Sequence, residues 1–75
     1  MSKLEREYID SISLASVGFD NEQSILEVEF KSNGAIWQYL DVPESVYYEL
    51  MSAGSRGSYF HHNVRNGGYA AIRIG

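Results

Sequence analysis

Residues 25–40 read ILEVEFKSNGAIWQYL, and the fold turns on how they are read. Leu26, Val28 and Phe30 alternate with Glu27, Glu29 and Lys31, the period-2 pattern of a strand with one apolar and one wet face. That pattern suits an antiparallel sheet covered on one side, with Glu27 and Glu29 on the solvent side. Asn33-Gly34 then supplies the positive φ angles that a tight hairpin turn demands. In the second arm, residues 35–42, Trp37 and Tyr39 point one way while Ile36, Gln38 and Leu40 point the other. Either set is able to share a face with Leu26 and Val28; the hairpin register decides, and sequence leaves it open.

The rest of the chain builds outward from this hairpin. Upstream, SISLASVGFD (11–20) reads as a strand carrying Ile12, Leu14, Val17 and Phe19, irregular at Ala15–Ser16, and DNEQS (20–24) is a polar turn. Downstream, VPESVYYELMSAG (42–54) has the marks of a helix. Pro43 stands at its opening, where a missing N–H costs nothing. Asp41 and Glu44 have capping-box spacing, and Val46, Tyr47, Leu50 and Ala53, with Met51 at the edge, form an apolar stripe. Tyr48 falls off that stripe and is expected in solvent. Gly54 is expected as a left-handed cap, and Ser55 as the N-cap of a second short helix, SRGSYFHHNVR (55–65), whose stripe is Tyr59, Phe60 and Val64. NGG (66–68) ends it, and YAAIRI (69–74) closes the chain as a strand whose edge is left open. The expected class is α+β, a small antiparallel sheet with helices packed on one face, in the order β-β-β-α-α-β. Residues 1–8 read as a flexible lead-in and 9–75 as a single domain.

Seventy-five residues allow one core and a stability on the order of 3–5 kcal/mol. A hydrophobic share of 44% argues against disorder. The absence of cysteine excludes disulfides, thiol catalysis and cysteine-ligated zinc, and favours the cytoplasm for so small a domain. The opening MSKLEREYID has no apolar run for a signal peptide, and no stretch approaches membrane-spanning length. No long apolar seam is present, so a monomer is expected. The net charge of −4 is unevenly spread: residues 1–49 hold all ten acids and three bases, whereas residues 50–75 hold Arg56, Arg65 and Arg73 and no acid. Such asymmetry gives an acidic protein a local basic face.

Taken in order, LEVEF, NGAIWQY, VPESVYYEL, SRGSYF and VRNGGYAAIRI resemble the KTSC domain, over about residues 9–74. That family takes its name from an occurrence at the C-terminus of some lysyl-tRNA synthetases and also includes stand-alone small proteins. The family's Y-x-Y element falls on Trp37-Gln38-Tyr39, with Trp in place of the first Tyr, so a hydrogen bond from that first hydroxyl is lost. His61 stands where the family commonly has Asn. What the resemblance implies about function is RNA binding, by association with the synthetase context.

The residues admit two functional classes. Six of the ten aromatics lie between residues 37 and 60. Exposed rings stack unpaired bases, but a chain this short needs Trp37, Tyr39, Tyr47 and Phe60 for its core, and the core reading is preferred. Gly54, Ser55 and Gly57 bracket a helix start where N–H groups attract anions, and Arg56 adds a phosphate contact; a plain helix-to-helix turn with a C-cap glycine and an N-cap serine is the preferred account. His61 and His62 diverge on a helix, with no carboxylate in the nearby segment, so no metal site is read there. No spacing pairs a nucleophile with a base, and neither catalysis nor a cofactor is expected. The expectation is therefore a non-catalytic binding module for RNA (tRNA or single-stranded), with Arg56, Arg65, Arg73, Ser55 and Gly57 as contacts. The alternative is a protein–protein interaction module using a sheet edge or an aromatic patch. No membrane partner is expected.

Overall fold

In the computed structural model, which describes residues 4–75, the alternation of residues 25–30 becomes the central strand of a sheet. The elements run β1 (Glu7–Tyr8), β2 (Leu14–Asp20), β3 (Ile25–Phe30), β4 (Ile36–Tyr39), α1 (Glu44–Ser52), α2 (Arg56–Phe60), a π-helical turn (His61–Arg65) and β5 (Ala71–Arg73). The five strands are antiparallel in the order β1-β2-β3-β4-β5. The final strand thus takes the free edge of β4. A two-residue strand from within the lead-in occupies the other edge; Met1–Lys3 of that lead-in lie outside the described residues.

The hairpin register is Leu26 opposite Tyr39 and Val28 opposite Trp37. Trp37 and Tyr39 therefore share the apolar face of β3, under the helices. The irregularity at Ala15–Ser16 is a bulge, where the β2–β3 register shifts between Leu14 and Ser16. The β3–β4 turn departs from a two-residue Asn-Gly turn. Only Gly34 has a positive φ, at 70°; Asn33 instead accepts the Ala35 N–H on its Oδ1 at 3.0 Å. An asparagine's short acceptor side chain closes the turn without leaving ordinary backbone geometry.

Both ends of α1 also differ from expectation. Pro43 is the N-cap and has no side chain to donate an acceptor, so no capping box forms; Asp41 sits instead in the left-handed region at φ 56°. At the C-terminus Ala53 is extended, its N–H reaching Leu50 O at 3.3 Å, and Gly54 does not take a left-handed angle. Ser55 does cap α2, accepting from Ser58 N at 3.4 Å.

The core joins Leu14, Val17, Leu26, Val28 and Tyr39 of the sheet to Val42, Leu50, Phe60 and Val64 beyond it. Phe60 meets Phe30 and Tyr39 edge-on, with ring centroids 5.6 and 5.4 Å away. Trp37, Val46, Tyr47 and Met51 are half-buried against this cluster, while Tyr48 is exposed as its phase on α1 requires.

The opposite face of the sheet corrects the reading of Glu27 as a solvent residue. Glu27 is only 6% exposed, and Ser16 beside it is 1% exposed. Arg6 forms an ion pair with Glu27 and donates from Nε to Ser16 Oγ at 2.9 Å. Gln38 Nε2 donates to Glu27 Oε1 at 2.9 Å, and Ser16 Oγ to Glu29 Oε1 at 2.9 Å. Gly18 lets the N-terminal segment lie flat here: a Cβ at that position would collide with the Glu5 carbonyl and the Leu4 side chain.

Leu50→Ala is expected to remove about 2–5 kcal/mol, most of the stability of so small a domain, whereas Tyr48→Ala stays within about 0.5 kcal/mol; urea unfolding midpoints compare them. Tyr59 gives an alkaline signature. Burial, and then the hydrogen bond from its hydroxyl to Glu49 Oε1 at 2.7 Å, push its pKa up to about 12. The folded chain thus holds this proton more tightly than the unfolded one, whose tyrosine titrates near 10.0. Its stabilisation is complete below that pH and is lost as pH rises through about 12. Tyr59→Phe should flatten the fall in melting temperature across that window.

Candidate functional site

Three adjoining hollows run along the side of the molecule where the α2 end of the chain meets the sheet. The first and second share Ile12, Ser13, Lys31 and Gly57; the second and third share Phe30, Ser32 and Arg65. Together they form one trough with chemically different ends. One end is rich in hydroxyls and carries Arg56, with Ser11, Ser13, Ser55 and Ser58. The other is walled by Phe30, Trp37, Tyr39 and Tyr69, with Arg65 and Asn33 beside them.

The local structure explains how each side chain reaches the trough. Lys31 is the first residue past β3, held by its N–H to Ser13 O at 3.0 Å. Arg65 ends the π-helical turn, in which Asn66 N reaches back five residues to His61 O at 3.2 Å. Val64, its neighbour, is fully buried and anchors that turn in the core. Gly57 allows α2 to approach the loop before β2, since a Cβ there would come within 2.5 Å of Ser13 Oγ.

The electrostatics of this trough differ from those of the whole chain. Of the ten acids in the sequence only Asp10 lines it, against Lys31, Arg56 and Arg65. Lys31 and Arg65 have no side-chain hydrogen bond or ion pair among the described residues. The Arg65 cation is close enough to oppose, in part, the upward shift that burial imposes on the Tyr39 hydroxyl.

The five contacts expected from sequence divide into distinct roles. Arg56 is partly committed to structure: Nε and Nη2 donate to Met51 O at 3.3 and 3.0 Å, capping α1. Its Nη1 reaches Asp10 O at 3.5 Å. Ser55 caps α2, and Gly57 provides the close approach just described. Arg65 is the freest of the three arginines. Arg73 is exposed on β5 opposite Trp37, and its Nε donates to Gly75 O at 2.9 Å. Lys31, a wet-face residue by its alternation, and Tyr69, at the start of the last strand segment, are not among the five contacts that the sequence suggests. Their signal was positional: Lys31 is the one base of residues 25–49, and Tyr69 follows the chain-reversing NGG.

His61 and His62 are exposed, with ring centroids 5.3 Å apart. Among the described residues no group of three metal-ligating side chains converges, and no helix is long and apolar enough to cross a membrane.

With this geometry in hand, comparison with known proteins places the chain. The family model of the KTSC domain matches residues 10–69. The chain belongs to the KTSC domain family. An uncharacterised protein of Stutzerimonas stutzeri (strain A1501) is 42% identical over 71 residues, spanning 95% of this chain and 99% of that one. A crystal structure of a KTSC domain protein from Yersinia pestis superposes with a TM-score of 0.88 at 34% identity, covering 97% of this chain and 100% of the other. Lys31, Arg56, Arg65 and Tyr69 all fall inside the KTSC match; Arg73 falls outside it.

The division of roles is open to direct measurement. Arg56→Ala is expected to cost about 1–2 kcal/mol by uncapping α1. Lys31→Ala and Arg65→Ala, which lose no internal partner, should leave the urea midpoint within about 0.5 kcal/mol of the parent.

Proposed function

We propose that this KTSC domain is a non-catalytic cytoplasmic module that binds RNA along the trough. The observation that carries the reading is a pair of cations, Lys31 and Arg65, without internal partners among the described residues, in a trough lined by a single acid. A protein with a net charge of −4 gains little from concentrating free bases unless they meet an anion. Phosphates along a backbone fit this arrangement, because the basic residues are spread along the trough instead of converging on one point. The serines at one end add hydroxyls suited to ribose 2′-OH groups, which favours RNA over DNA. Arg56 contributes charge while remaining tied to α1; Arg73, on β5, lines none of the three hollows.

A second reading, a protein-interaction module, is favoured by β5. This edge strand is exposed throughout, and Ile72 and Ile74 are 50% and 51% exposed. A partner held there would be insensitive to salt and lost on Ile72→Lys.

Titration of labelled single-stranded RNA at several salt concentrations tests the first reading. About three phosphate contacts give a slope near −2 in log K against log salt, and removing Lys31 or Arg65 reduces its magnitude by about 0.7 each. Absence of binding at low salt overturns the RNA reading.

A further inference from the structure

The two ends of the trough are unlike, and their difference bears on which form of RNA fits. At the serine end the available groups are hydroxyls and a guanidinium, suited to phosphate and sugar. The other end is a hollow of about 440 Å³ with aromatic walls and Arg65 at its margin. Two of those walls have unused capacity. Trp37 and Tyr69 are half-buried against the core, and neither forms a stacked or edge-on ring pair among the described residues. The Trp37 indole N–H and the Tyr69 hydroxyl likewise lack hydrogen-bond partners among the described residues. By contrast buried Tyr39 and half-buried Phe30, in the same hollow, already meet Phe60 edge-on.

Resting on the RNA reading above, we infer that the trough takes single-stranded RNA, with one unpaired base seated in the Trp37–Tyr69 hollow. A duplex keeps its bases stacked inside and presents only phosphate, sugar and groove edges, so it leaves such a hollow unfilled. An unpaired base offers a face to a ring and an edge to the free indole N–H and phenol. Arg65 lies where that nucleotide's phosphate or base face would pass. The adjoining nucleotides then run past Lys31 toward the serine end. Base identity is read weakly in this arrangement, because every base has a face to stack.

Fluorescence anisotropy with three probes tests this on the unmodified protein: a short single-stranded RNA, the same ribose-phosphate strand without bases, and the matching RNA duplex. The base-bearing strand should bind about tenfold more tightly than the abasic strand, and more tightly than the duplex. Tyr69→Ala should erase the gap between base-bearing and abasic strands, and Tyr69→Phe should keep most of it. Equal binding of base-bearing and abasic strands, or preference for the duplex, overturns the inference while leaving the salt-dependent trough intact. Failure of all three probes to bind at low salt removes both.

Discussion

The pairing of β3 with β4 is the constraint from which the rest follows. Sliding β4 by one residue would exchange Trp37 and Tyr39 for Ile36 and Gln38 on the covered face. Tyr39 would then leave Phe60, and α2 would lose one of the two rings on which it packs. The same pairing places Gln38 over Glu27, where it donates to the carboxylate. One register thus serves two faces: an apolar layer under the helices and a satisfied polar layer on the other side.

That polar layer lies on the face away from the helices, beneath the N-terminal segment. Glu27 is nearly sealed from water, and a carboxylate in that position is tolerable only with a counter-charge and hydrogen bonds. Arg6 supplies the charge, from a segment that composition alone marks as a lead-in. The N-terminal residues are thereby tied to the sheet through this ion pair and through the bare backbone at Gly18, against which the Leu4 side chain lies.

Strand alternation made the fold readable. LEVEF, the irregularity before Val17 and the helical stripe on α1 all came through because each is a periodic signal written in local residues. What escaped depends on distant partners or on end geometry. The burial of Glu27 needs Arg6, which lies 21 residues away in the chain. The ends of α1 misled because Asp41 and Gly54 have the right identities for caps, yet Pro43 and the Arg56 guanidinium took those duties. The trough was half legible: the acid-free segment 50–75 indicated Arg56 and Arg65, but Lys31 joins them only through the β2–β3 packing.

The π-helical turn has a consequence for side-chain direction. At 100° per residue an α-helix continued from Phe60 would carry Arg65 about 140° away from that ring's direction. The wider winding reduces this rotation, so Val64 stays in the interior while its neighbour still opens onto the trough. The exposed residues of this turn also serve its surroundings: His61 lines the middle of the trough, and Asn63 Nδ2 donates to Tyr59 O at 3.1 Å.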